Sequence, residues 1–188
     1  MSDGIIVDVV AMDGVPVREL QLPDGTAAMI WSLSPNDGPG LRENYRHLSD
    51  EARHSRFLSS TRELSDDMLR RLVDEVDGID HVALVLVTFP QDGPDKAVGI
   101  GRIVRLANEA SAADIAITVD DDWRRRGVGT ALLDELLRRR PKGVTDIVTH
   151  VAAGNRASLA LLNRAGEVQL SPQSGGRYDV RVALAAAE

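Results

Sequence analysis

The chain has 188 residues, no cysteine, and 29 acidic against 22 basic side chains, for a formal net charge of -7. Without cysteine, disulfide frameworks, thiol nucleophiles and thiolate zinc sites are all excluded. A chain of this length buries roughly 70% of its unfolded surface and needs none of them to fold. The acidic balance argues against nucleic acid as a partner. The apolar run IIVDVV is too short for a signal peptide or a membrane span. A cytoplasmic protein with no membrane partner is therefore expected.

Residues 1–23 show no clear period. IIVDVV suits a strand or an ordered arm, and DGVP and LPDG read as turns. This stretch is expected to be an N-terminal extension or extra strand ahead of a single domain over 24–188. AAMIWSL suits a strand that ends at the loop SPNDGPG. Leu41–Leu48 and Asp50–Leu58 look helical, the second with Ser49 as N-cap and acidic residues in its first turn. Ser65 caps a further helix, LSDDMLRRLVDEV, with apolar residues at helical spacing.

The period then changes. HVALVLVTF reads as a buried strand, and AVGIGRIVRL as its hairpin partner. NEASA reads as a loop and ADIAITVD as a third strand. VGTALLDELLRRR is an amphipathic helix whose basic last turn suits the helix dipole. TDIVTHVA is a strand, and a short helix runs from Asn155 to Gly166 as its expected C′ glycine. EVQLS and RYDVRVAL form a final hairpin. This order predicts a mixed, largely antiparallel sheet covered by helices, with Ala113–Asp120 and Asp146–Ala152 as parallel neighbours across a βαβ crossover.

The most informative stretch is DDWRRRGVGTALL, a strand end, a glycine loop and a helix start in succession. The first N–H groups of a helix lack intrahelical partners and lie at its positive dipole end, so such a junction receives anions. Gly127 and Gly129 allow a phosphate close approach to the main chain, and Arg124, Arg125 and Arg126 attract an anion carrying more than one phosphate. The stretch is neither a P-loop nor a dinucleotide fingerprint, because GKS/T and the third glycine are missing.

VDDDWRRRGVGTALL resembles the acyl-CoA-binding motif of the GCN5-related N-acetyltransferases (GNAT), Gln/Arg-x-x-Gly-x-Gly/Ala, with Arg124, Gly127 and Gly129 at its fixed positions. GNRASLALLNRAGE resembles the family's second motif through Asn155, Ser158, Leu161 and Gly166. The resemblance covers about Thr26 to the C-terminus. YRHLSDEARHSRFLSSTRELSDDML further resembles bacterial protein-lysine acetyltransferases, whose ligase-like or nucleotide-sensing partner domains are not expected within these residues.

The resemblance implies an α/β (α+β) fold of GNAT type: a mixed, mostly antiparallel sheet flanked by helices, with a splayed parallel strand pair at the cofactor cleft. It implies an N-acetyltransferase that moves an acetyl group from acetyl-CoA to a primary amine by direct attack, with no metal. The acceptor is a protein lysine or a small molecule, and a homodimer is left open. Ile117, Thr118 and Val119 would line the pantetheine arm opposite His150–Ala152. The main chain of Arg125, Arg126, Gly127, Val128, Gly129 and Thr130 would hold the pyrophosphate, with Arg124, Asn155 and Ser158 completing the cofactor site. Asn155 also reads as a plain N-cap.

Two positions depart from the family pattern. Leu162 stands where the family usually places a tyrosine acid, and Asp114 stands where the lysine-acetylating branch has a glutamate base. Asp114 is the candidate general base, acting directly or through water; its other reading is a solvent-facing carboxylate. Asp120 and Asp121 read as carboxylates pairing with the arginines. His47 and His54 lack a third ligand for a metal. His81 flanks a strand, and His150 reads as a packed or solvent-facing imidazole with a proton relay as the alternative. Tyr45 and Tyr178 are the phenols that could replace the missing acid. The second functional reading is a non-catalytic sensor or partner module that binds CoA or acyl-CoA.

Overall fold

The computed structural model describes residues 14–38, 75–91 and 95–185. Among them, strands β1 (Pro16–Gln21), β2 (Ala27–Ser32), β3 (His81–Phe89), β4 (Lys96–Leu106) and β5 (Glu109–Val119) are followed by helix α1 (Val128–Arg138). Strand β6 (Asp146–Ala152), helix α2 (Arg156–Ala165), β7 (Gly166–Gln173) and β8 (Arg177–Leu184) complete the order. The eight strands form one sheet in the order β1-β2-β3-β4-β5-β6-β8-β7. Every pairing is antiparallel except β5 with β6, which is parallel. The expected mixed sheet, crossover and closing hairpin are all present. The expected helices Leu41–Leu48 and Asp50–Leu58, the IIVDVV stretch and all of the Ser65-capped segment but Glu75 and Val76, which are not helical, lie outside the described residues.

Local sequence explains most of these elements. β3 carries an unbroken aliphatic run from Val82 to Val87, and all but its last residue are buried, as befits a strand covered on both faces. β1 opens on Pro16 at the sheet edge, where a missing N–H costs no ladder bond. In α1, Val128, Leu132, Leu133 and Leu136 form the buried stripe and join Leu84, Leu86, Ile103, Ile115 and Ile147 in the core. Truncating Leu132, which is fully buried, to alanine would cost about 2–5 kcal/mol. Glu135 is buried on the same helix beside Arg139 at 2.8 Å, Arg138 at 3.1 Å and Arg18 at 3.6 Å. Burial pushes its carboxyl up, but the hydrogen bonds from Arg139 and Arg138 outweigh that and hold it below the usual value.

Three expectations are corrected. NEASA is not a loop: β5 already begins at Glu109, because Leu106 pairs with Glu109 across a tight turn. DGVP is not wholly a turn, since Pro16 starts β1, and part of the 1–23 stretch is thus a strand of the same sheet. Gly166 does not end α2 in the left-handed conformation; its φ of 166° is extended and it opens β7. A Cβ there would stand 2.0 Å from the Ala183 carbonyl oxygen, so close approach of β8 is what requires glycine.

Candidate functional site

The path from β5 into α1 is built by short-range bonds. The Asp120 carboxylate accepts from the Asp122 N–H at 3.0 Å and starts a 3-10 turn at Asp121–Trp123, which buries the Trp123 indole. Beyond it the backbone takes positive φ at Arg125 (60°) and Gly127 (89°), whereas Arg126 does not. Left-handed residues in a short loop ahead of a helix N-terminus are a feature of anion-binding backbone concavities. The N–H groups of Arg125, Arg126, Gly127, Val128, Gly129 and Thr130 have no acceptor among the described residues; the first helical bond runs from Ala131 to the Gly127 carbonyl. These donors sit at the positive end of α1, and the arrangement fits a diphosphate.

The glycines serve the protein as well as any ligand. A Cβ on Gly127 would lie 2.6 Å from Pro23 Cδ, and its left-handed φ disfavours a side chain in any case. A Cβ on Gly129 would meet Leu161 Cδ1 at 3.2 Å and Val119 Cγ2 at 3.6 Å, so this glycine lets α1 lie close to α2 and the end of β5.

The three arginines have separate fates. Arg124 pairs with Asp121 at 2.5 Å. Arg126 stacks on Trp123 at 3.9 Å from the ring centroid and donates from Nε to Asp24 at 2.7 Å, with a second contact from its terminal nitrogen. Arg125 is exposed and has no carboxylate partner among the described residues. Asp120 pairs with Lys96 at 3.1 Å rather than with an arginine, while Asp121 pairs as expected.

The parallel pair parts beside this loop. β5 and β6 are in register only at Ala112↔Asp146 and Ala113↔Ile147, and the Thr149 hydroxyl donates to the Ile115 carbonyl at 3.4 Å. Further on, β5 stays bonded to β4 and β6 to β8, so a gap opens between Ile117–Val119 and His150–Ala152. Main-chain groups alternate along a strand. Because Ile115 faces β6 and Asp120 donates to Val98, the N–H and C=O of Ile117 and Val119 face the gap, whereas Thr118 turns its main chain to β4. An extended ligand with its own amide groups can enter there as a substitute strand.

Asp114 lies on the same strand, two positions before Ala116, on the sheet face opposite α1. It pairs with Arg102 of β4 at 3.5 Å and is about one-third exposed. His81 is buried on that face, and burial, with Arg102 next in importance, lowers its basicity. His150 is exposed and bonded to Asp179 at 2.7 Å. Leu162 is buried in the core and offers no proton. Tyr178 is half-buried on β8, in register with Val151 beside the gap; Tyr45, His47 and His54 lie outside the described residues. The Asn155 side chain accepts from the Ser158 N–H at 3.0 Å and so caps α2. Sequence reasoning missed Pro23 and Asp24. LPDG signalled a turn, but nothing local indicated that this turn meets the arginine loop.

Such a sheet, with a parted parallel pair leading to a helix N-terminus rich in unbonded amides, defines an acyl-CoA-binding fold, and the family comparison agrees. The sequence profile of the acetyltransferase (GNAT) family matches residues 43–166, and the chain belongs to that family. It is an acyl-CoA-dependent N-acetyltransferase by membership. Among its relatives is an acetyltransferase of Pseudomonas aeruginosa, 30% identical over 165 residues and covering 87% of each chain. The acetyltransferase Pat of Mycolicibacterium smegmatis is 32% identical over 129 residues, which are 68% of this chain but 37% of that one. The crystal structure of the GNAT domain of S. lividans PAT superposes with a TM-score of 0.74 at 24% identity, covering 89% of this chain and 96% of that one, and shows the shared fold. No helix among the described residues is long and apolar enough to cross a membrane.

Proposed function

We propose that the protein transfers the acetyl group of acetyl-CoA to a primary amine, of a protein lysine or a small molecule, by direct attack. The observation that carries this reading is the set of unbonded amides from Arg125 to Thr130, at the start of α1 and beside the β5–β6 gap. The diphosphate would rest on those amides, the pantetheine arm would bond to the Ile117 and Val119 main chain, and the Val119 N–H would face the developing oxyanion. The amine nitrogen bonds to the carbonyl carbon, the C–S bond breaks, and CoA leaves as thiolate. The ammonium proton passes to Asp114 through water before attack, since Asp114 lies five residues from Val119 on β5, and the second nitrogen proton leaves to water as the tetrahedral intermediate collapses to the amide. Tyr178 is the described phenol nearest to filling the acid role that Leu162 leaves vacant, and water can also protonate the thiolate.

Thiol release from acetyl-CoA, measured over a panel of protein and small-molecule amines, tests the reading. Release with at least one amine is expected. Asp114→Asn should lower kcat by about 100-fold with CoA affinity unchanged. Tight CoA binding without release on any amine would favour the sensor module, and absence of CoA binding would end both readings.

A further inference from the structure

We infer that the turn between β1 and β2 is a positioning clamp for the coenzyme loop, with Asp24 and Pro23 holding Arg126 and Gly127 so that the amides of 125–130 stay in place. The inference rests on the acyl-CoA reading for its functional half and on contacts for its structural half.

Four observations carry it. Arg126 is engaged twice, its plane on the Trp123 ring and its edge on the Asp24 carboxylate. A guanidinium held this way acts as a strut: its Nε and one terminal nitrogen are committed to Asp24, and only the other terminal nitrogen keeps free donors. Asp24 is itself fixed, since its carboxylate accepts the Thr26 N–H at 3.0 Å and the Leu22–Gly25 turn is closed by a 2.8 Å main-chain bond. The Pro23 ring stands where a Gly127 side chain would be, so the turn touches the loop at two consecutive residues. Finally, Arg125 holds a left-handed φ of 60°, which a non-glycine residue keeps only when its surroundings enforce it, and Arg126 is the next residue in the chain.

Electrostatics alone points the other way. Asp24 is a negative charge beside a site for a polyanion, and Coulomb repulsion makes it a liability there. Its carboxyl is held down to about 2 by the Thr26 hydrogen bonds and then by Arg126, so it remains charged at any working pH. A carboxylate in this place is understandable if it orders the loop.

The two views predict opposite signs. Asp24→Asn is isosteric, retains an oxygen for the Thr26 N–H and removes the charge. If Asp24 mattered only as charge, this variant would bind CoA more tightly. The clamp predicts weaker binding, by about fivefold, with a matching rise in KM for acetyl-CoA and unchanged kcat. Arg126→Lys keeps the charge but loses the planar stack and the two-point contact, and should weaken binding to a similar degree. The double variant should be no weaker than either single one, because both changes break the same contact. Calorimetry with CoA reads the affinities. Backbone 15N relaxation on the free protein reads the loop directly: order parameters at 125–130 should fall in both variants, while thermal midpoints stay close to that of the parent. Equal or tighter CoA binding by Asp24→Asn would overturn the clamp, as would unchanged order parameters. If the parent protein binds no CoA, the functional proposal has failed, and the relaxation data still decide whether the turn orders the loop.

Discussion

Arg125 keeps its guanidinium open to solvent while the arginines on either side are tied to Asp121 and Asp24. Three adjacent residues of one type therefore have three duties: a local tie within the 3-10 turn, an available cation, and a strut. The available one is expected to meet a phosphate of the coenzyme. Arg125→Gln should weaken CoA binding by about tenfold and flatten its salt dependence, as removal of one charge-assisted contact implies. Arg124→Gln should do much less, and calorimetry at two salt concentrations separates them. In the sequence the motif sets Arg124 apart, but nothing in RRR separates the exposed Arg125 from the anchored Arg126. Asp121 is a near neighbour whose pairing was foreseen, but Asp24 lies 102 residues away. A spacing of that kind leaves no local signal. The sequence offers both glycines as room for a phosphate, yet Pro23 excludes a side chain at Gly127 and Leu161 leaves little space for one at Gly129, both brought there by the fold.

At the scale of elements, α2 is short and depends on its first turn. Asn155→Ala removes the bond to the Ser158 N–H and should lower stability by about 1 kcal/mol, read as a shift of the denaturant midpoint at constant slope. Because α2 supplies Leu161 to the face of Gly129, CoA affinity should follow only weakly, unless Asn155 also contacts the ligand, in which case affinity falls more than stability. The bounds of β3, β6 and α1 were legible because burial imposes its period on the sequence. The start of β5 at NEASA is not legible, since small polar residues resemble a loop when no neighbouring strand is in view. Gly166 misleads for a related reason: a glycine at a helix end suits a C-cap, and the carbonyl of Ala183 that demands it belongs to the last strand.

At the scale of the whole molecule, stability should carry a histidine signature. His81 is 4% exposed and its pKa is lowered from 6.5, mainly by burial. The folded chain therefore takes up this proton less readily than the unfolded one. Stability should be level above about 6.5 and decline as pH falls from there toward the lowered folded value, with a slope of at most about 1.4 kcal/mol per pH unit. Asp24, Asp77, Glu135 and Asp146 are also shifted down, but from 3.8 or 4.5, so their stabilisation is lost only in more acidic solution. Thermal melts between pH 7 and 5 should show the decline in the parent and a flatter profile in His81→Leu. The overall architecture was readable beforehand because helix and strand periods alternate in a distinctive order. The contact between the first hairpin and the late glycine loop was not. That contact has a practical corollary. The family profile starts at residue 43, after both strands of the first hairpin. A protein shortened at its N-terminal side to residue 43, with β7 and β8 retained, would keep the whole matched profile and yet lose the turn that holds Arg126 and Gly127. Motif-complete fragments of this chain should therefore bind their coenzyme poorly.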